Sequence, residues 1–197
     1  ITDVLKEELA ITDEMILVTK SPINMKYVYG LEDIIPSSVI KKVSYEDFTP
    51  FKKYSLERGS IIKRIEEKDL LLSYPYDDID TFLDLIKEAA ESDKTISIKI
   101  TIYRLAKHSK LVEYLKKACD NGIEVTALME LKARFDEENN INYSEELFKA
   151  GCNIMYGFEE YKTHSKLCLI TYKDDRENIK QITQIGTCLL YTSPSPR

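Results

Sequence analysis

The chain has 197 residues, enough for one sizeable core or about one and a half domains, and its 43% apolar and 31% charged residues are ordinary globular usage. A formal net charge of −6 argues against a generally basic nucleic-acid binder, so any polyanion must be met by a local cationic pocket. No apolar run approaches the roughly 18 residues of a membrane span, and the start lacks the basic, apolar and small-residue regions of a signal peptide, which points to the cytoplasm.

The first 70 residues read as irregular. Pro22, Gly30, Pro36 and Pro50 interrupt short apolar stretches such as Met15 to Thr19, and Leu56 to Asp69 alternates charges without a helical stripe. A boundary is expected near Leu71, where the pattern becomes regular. Phe82, Leu85, Ile86, Ala89 and Ala90 recur at helical spacing, with Asp77, Asp78 and Asp80 at hand to cap the start. Ile96, Ile98, Ile100 and Ile102 then alternate with polar residues, a β-branched strand of period two.

A second helix carries Leu111, Val112, Leu115, Ala118 and Cys119 on one face and closes at Asn121-Gly122, a pair suited to a left-handed cap. Ile123 to Glu130 reads as the next strand, Asn142 to Ala150 as a third helix, Cys152 to Tyr156 as a third strand and Lys166 to Thr171 as a fourth. Cys119, Cys152, Cys168 and Cys188 show no C-x-x-C pairing, and three of them sit in apolar patterns where cysteine behaves as a small buried hydrophobe. A reducing compartment is the expectation.

Alternating strands and helices predict an α/β fold with a mainly parallel sheet flanked by helices, covered on both faces. Arg104 directly follows the first strand, Arg134 lies a few residues past the second, and His164 precedes the fourth. Ligands of open α/β sheets bind outside the carboxyl ends of the strands, so the three are expected to converge on one mouth.

The chemistry of that trio is phosphoryl transfer. An imidazole is partly unprotonated near neutral pH and can carry a covalent phosphoryl group, and Lys166, two residues after His164, places a cation beside it. Arg104 and Arg134 each offer a planar fork for phosphate oxygens. The plainer alternatives are a histidine merely hydrogen-bonded at a strand start and arginines in surface ion pairs. Lys132 and Lys162 flank the same mouth and are read as guides for an anionic chain, though surface lysines are common. Asp136, Glu137 and Glu138 are read as partners of Arg134, against a solvated acidic loop. His108, in Lys107-His108-Ser109, is read as a solvated turn residue, and Tyr74-Pro75-Tyr76-Asp77 as the segment that places the first helix.

The phrases Ile-Tyr-Arg-Leu-Ala around Arg104, Leu-Lys-Ala-Arg-Phe-Asp-Glu-Glu around Arg134 and Lys-Thr-His-Ser-Lys at 162–166 together resemble polyphosphate kinase of the first type, from about Leu71 to Thr187. The resemblance implies reversible transfer of the ATP γ-phosphate to inorganic polyphosphate through a phosphohistidine at His164. It implies Mg²⁺ as cofactor at a site that includes Arg104 and Arg134. An arginine cannot ligate Mg²⁺, so both are read as holding the phosphates that hold the metal, with Asp136, Glu137 and Glu138 as support for that ion through water or as partners of Arg134. It further implies that residues 1–70 end a head domain and link, and that 71–187 form an incomplete first catalytic domain, one phospholipase D-like half. The expected partners are ATP, ADP and polyphosphate, with a homo-oligomeric full-length protein and association of that protein with a membrane as a complex left open.

One departure stands against the phospholipase D superfamily motif, and it is one the polyphosphate kinase branch allows; a second stands against the family pattern itself. The phospholipase D motif, histidine-x-lysine with aspartate after four residues, has Thr171 at the aspartate position, which weakens a phosphodiesterase reading. After Gly186-Thr187 the chain continues Cys-Leu-Leu-Tyr-Thr-Ser-Pro-Ser-Pro-Arg, so 188–197 is read as an aberrant tail and Tyr191 does not inherit a nucleotide contact. This piece alone is expected to lack full activity. A non-catalytic polyanion-binding module is the remaining alternative.

Overall fold

The computed structural model describes residues 2–22, 24–46, 48–105, 108–131, 137–158, 160–161 and 163–186. Contacts divide the chain into two compact units, Ile1–Phe48 and Thr49–Arg197. The first carries short helices α1 (Thr2–Leu9), α2 (Leu31–Ile34) and α3 (Ser37–Val43), with Pro36 leading into α3; neither α1 nor α3 buries a residue.

The second unit begins before the change of sequence pattern. Helix α4 (Ile61–Glu67) is capped by Ser60, whose Oγ accepts from the Lys63 N–H at 3.0 Å. Its first amides, of Ile61 and Ile62, donate to the Glu88 carboxylate at 2.7 and 3.2 Å, and Glu66 accepts the Tyr172 hydroxyl at 2.8 Å. Ile61, Ile62 and Ile65 form a short apolar stripe on the core, contrary to the irregular reading of this stretch; it spans under two turns among charged residues, and most of the helix's polar partners lie more than 20 residues away. The packing division thus falls after Phe48, while regular alternation starts near Leu71.

Helix α5 (Asp80–Glu91) buries Phe82, Leu85, Ile86, Ala89 and Ala90, the residues of its stripe. Of the three aspartates near its start, Asp78 accepts from the Asp80 N–H at 2.9 Å and Asp77 from the Ser73 N–H at 2.7 Å. The segment at 74–77 is tied down through Tyr76, whose carbonyl accepts from the Phe51 N–H at 2.7 Å.

Then follow β1 (Thr95–Ile102), α6 (Lys110–Asp120), β2 (Glu124–Met129), α7 (Glu137–Lys149), β3 (Asn153–Tyr156), β4 (Lys166–Lys173) and β5 (Ile179–Gly186). Helix α6 ends as expected: Gly122, at φ +79°, donates to the Cys119 carbonyl at 2.9 Å, a conformation that glycine adopts without steric cost.

The sheet order is β3-β2-β1-β4-β5. β1 pairs parallel to β2 and β2 parallel to β3, whereas β4 is antiparallel to both β1 and β5. Four strands therefore share one direction and β4 opposes them, where alternation alone suggested parallel strands throughout. The link from β3 to β4 contains no described helix, and without a helical crossover the chain returns antiparallel.

One face of the sheet is buried. Ile98, Ile100 and Ile102 of β1, Val125, Ala127 and Met129 of β2, and Cys168 and Ile170 of β4 form one core with α5, α6 and Leu147 of α7. Each such large aliphatic side chain is worth about 1.5–3 kcal/mol of burial. The opposite face, with Lys99, Thr101, Leu128, Leu167 and Leu169, is half-buried to exposed, so the described helices of the second unit cover one face and not the expected two. Ile96, expected inward, is exposed because the β1/β4 register shifts between Thr95 and Ser97.

Candidate functional site

The reversal of β4 decides where His164 lies. Ile100 pairs with Cys168 in an antiparallel register, so the start of β4 stands beside the end of β1. A parallel β4 would have put its entrance, and His164 with it, at the far end of the sheet. Instead the residues that leave β1 and β2 and those that enter β4 share one edge. Thr101 Oγ1 donates to the Ser165 carbonyl at 2.7 Å and accepts from the Leu167 N–H at 2.9 Å, pinning that junction.

Tyr103 is the first residue past β1, and three groups gather on its ring. The His164 imidazole meets it edge-on, with centroids 5.3 Å apart and planes at 88°. Lys166 Nζ lies 5.0 Å and Arg104 Cζ 6.0 Å from the ring centroid, both within cation–π reach. Arg104, Tyr103 and Lys166 also line a small cavity with Thr101, Ile102, Leu105 and Leu111. Two cations and an imidazole thus meet at the sheet end of a chain whose net charge is −6.

His164 and Lys166 are neighbours by a route other than a shared strand face. β4 begins at Lys166, so His164 stands outside the ladder. The lysine is 4% exposed and its Nζ turns back to donate to the His164 carbonyl at 2.5 Å, while His164 as a residue is exposed. The buried ammonium thereby holds the backbone of the exposed ring.

A second layer lies beneath. Glu130, 4% exposed, continues the β1/β2 ladder by donating its N–H to the Ile102 carbonyl at 3.0 Å, and its Oε2 accepts from the Thr163 N–H at 2.8 Å. Asn140 of α7 is fully buried, and its Nδ2 donates to the carbonyls of Tyr103 at 2.8 Å and Glu130 at 2.9 Å. It ties together the two strand ends from which Arg104 and the 131–136 segment emerge.

Of the residues singled out in the sequence, His164, Lys166 and Arg104 are brought together. Arg134, Lys132, Lys162, Asp136 and the tail with Tyr191 lie outside the described residues. Glu137 and Glu138 open α7 and are exposed, and His108 is an exposed turn residue at φ +57°. Among the described residues no group of three or more His, Cys, Asp or Glu is placed to hold a metal ion. The sequence reading missed Tyr103, Glu130 and Asn140. The available signal was a polar residue where an apolar one fits the pattern: Glu130 closing an apolar strand, Asn140 at an inward helix position.

Comparison with known proteins places this geometry. The family model described as polyphosphate kinase C-terminal domain 1 matches residues 60–194, running past Cys188. The polyphosphate kinase of Staphylococcus epidermidis is 38% identical over 180 residues, covering 91% of this chain and 24% of its own length. That of Helicobacter pylori (strain ATCC 700392 / 26695) is 39% identical over 157 residues, 80% of this chain and 23% of its own. The crystal structure of polyphosphate kinase from Porphyromonas gingivalis aligns with a TM-score of 0.67 at 29% identity, covering 92% of this chain and 30% of that one. A phospholipase D family member from Salmonella typhimurium aligns with a TM-score of only 0.37 at 14% identity, too distant to bear on fold or function. The chain spans about a quarter of the length of the curated relatives it matches.

Proposed function

The chain belongs to the polyphosphate kinase C-terminal domain 1 family, and on that premise we propose that the whole protein is an ATP:polyphosphate phosphotransferase with His164 as its covalent carrier. The observation that carries the reading is the grouping of His164, Lys166 and Arg104 on the Tyr103 ring at one end of the sheet.

In the first half-reaction an imidazole nitrogen of His164 bonds to the γ-phosphorus in line, and the bond to the β,γ-bridging oxygen breaks with its electron pair leaving on ADP. In the second, a terminal oxygen of polyphosphate attacks the same phosphorus, the N–P bond breaks, and the polymer is one phosphate longer. Reversal of both steps returns ATP. Arg104 grips equatorial oxygens with its fork, and Lys166 adds positive charge beside the attacking ring as negative charge spreads over the transferring group. Arg134 is assigned the same task as Arg104, and Lys132 and Lys162 the guidance of the polymer.

Mg²⁺ belongs to this reading as part of the MgATP substrate. Arg104 and Lys166 have no acceptor with which to ligate it, so they would hold the phosphates on which the ion rides. The partition into a head-domain end and link (1–70), a first catalytic domain of phospholipase D-like type (71–187) and a tail outside the fold (188–197) is proposed on the same basis. So are a cytoplasmic place and a homo-oligomeric full-length state. No helix among the described residues is long and apolar enough to cross a membrane.

The full-length enzyme incubated with γ-labelled ATP and polyphosphate tests the reading. Label should pass to the protein and then to the polymer. A phosphodiesterase would cleave a diester without labelled polymer, and a binding module would retain polyphosphate with no label transfer; either result would displace the kinase reading.

A further inference from the structure

His164 lies on the connection between β3 and β4, outside both strands, so no ladder hydrogen bond orients it. Three tethers hold its neighbourhood: Thr101 to the Ser165 carbonyl, Lys166 to the His164 carbonyl, and Glu130 to the Thr163 amide. The first is exposed, and the second arises within the segment itself. The third comes from a buried carboxylate just past the end of β2, 33 residues away.

We propose that Glu130 is a positioning residue that sets the His164 ring against Tyr103 through the Thr163 amide. Burying a carboxylate is unfavourable unless its oxygens accept hydrogen bonds, and this one accepts from the residue next to the imidazole. The backbone leaves room for the contact at Gly157, whose amide donates to the Met129 carbonyl at 3.3 Å. A Cβ on Gly157 would stand 2.9 Å from Thr163 Oγ1, so that hydroxyl would have to turn away, and 3.5 Å from Glu130 Oε2, in ordinary contact. Glu130, Gly157 and Thr163 thus form one packed junction between the end of β2 and the histidine segment. Displacing that segment moves the ring without touching Arg104.

The chain's two histidines make the effect readable. The edge-on Tyr103 ring shifts the His164 imidazole resonance, while His108, exposed in its turn, is the internal reference. In proton–carbon NMR spectra of this chain, Glu130→Ala should carry the His164 signal toward the free-histidine position and leave His108 unmoved. Glu130→Gln keeps the acceptor oxygen and should restore it. In the full-length enzyme the same Ala change should slow phosphoenzyme formation by about 10²-fold with KM for ATP little altered, the cost of a misplaced nucleophile.

A folded Glu130→Ala protein whose His164 signal stays in place overturns the inference, as does a Gln variant displaced as far as the Ala variant. Should Glu130→Ala not fold, Glu130→Asp, which keeps the carboxylate but falls one methylene short of the Thr163 amide, decides by the same signal. Only the activity arm rests on the phosphohistidine reading: phosphoenzyme formed by His164→Ala would remove that reading and leave the NMR result standing.

Discussion

The rings of Tyr103 and His164 meet edge-on at 5.3 Å, and the same tyrosine ring stands 5.0 Å from Lys166 Nζ and 6.0 Å from Arg104 Cζ. One aromatic side chain is therefore the common surface of the proposed nucleophile and both described cations. Tyr103→Leu should lower full-length polymer synthesis by about 10-fold or more, since each of the three contacts is worth about 0.5–1 kcal/mol. Tyr103→Phe keeps the ring and should stay near wild type. Equal activity in the Leu variant would show that the ring supports nothing.

Arg104 tests geometry against charge. Lysine keeps the charge and loses the planar fork, so Arg104→Lys should reduce turnover by about 10²-fold if equatorial oxygens are gripped in two places. Steady-state kinetics with ATP and polyphosphate read this directly. Near-normal turnover would mean that net charge alone is needed there.

Asn140 is a stability prediction. Its amide satisfies the carbonyls of Tyr103 and Glu130 inside the core. Asn140→Ala leaves both without that donor and should cost about 2–4 kcal/mol. Asn140→Asp replaces the donor with an acceptor and should cost at least as much. Urea unfolding midpoints compare them; a shift within error for Ala would mean that water replaces the amide.

The alkaline limb of stability follows from buried acids. Burial pushes the Cys168 thiol up to about 12, and burial followed by the bond to Glu66 raises the Tyr172 phenol. In the unfolded chain these groups ionise near about 8.5 and 10, so above those values the unfolded state binds fewer protons than the folded one. Their stabilising contribution is whole below the unfolded values and is lost as pH rises toward the folded ones. The urea midpoint should fall from about pH 8.5 upward, less steeply in Cys168→Ala. Cys168 should also resist alkylation at neutral pH until the chain unfolds.

Local periodicity made α5, α6, β1 and β2 legible, because their inward residues repeat within one element. Helix α7 starts at Glu137 and not at Asn142; its first turn was illegible because Asn140, turned inward to serve two carbonyls, interrupts the apolar stripe. β5 escaped notice because only Ile182 of its eight residues is buried. The direction of β4 is a property of pairing, which no local pattern encodes. Yet it brings His164 to Arg104, so the convergence read from strand order rests on an antiparallel strand. Glu130 and Asn140 stayed hidden for the same reason: their partners lie 33 residues away in one case, and 10 and 37 in the other.

His164 is proposed to carry the phosphoryl group between ATP and polyphosphate. Mapping the phosphorylated peptide of the full-length enzyme by mass spectrometry tests it most directly, after brief incubation with ATP and under alkaline conditions that preserve a phosphorus–nitrogen bond. The phosphoryl group should lie on His164, disappear when polyphosphate is added, and be absent from His164→Ala, which should make no polymer. A phosphoryl group on another residue, or polymer synthesis by the Ala variant, would contradict the claim.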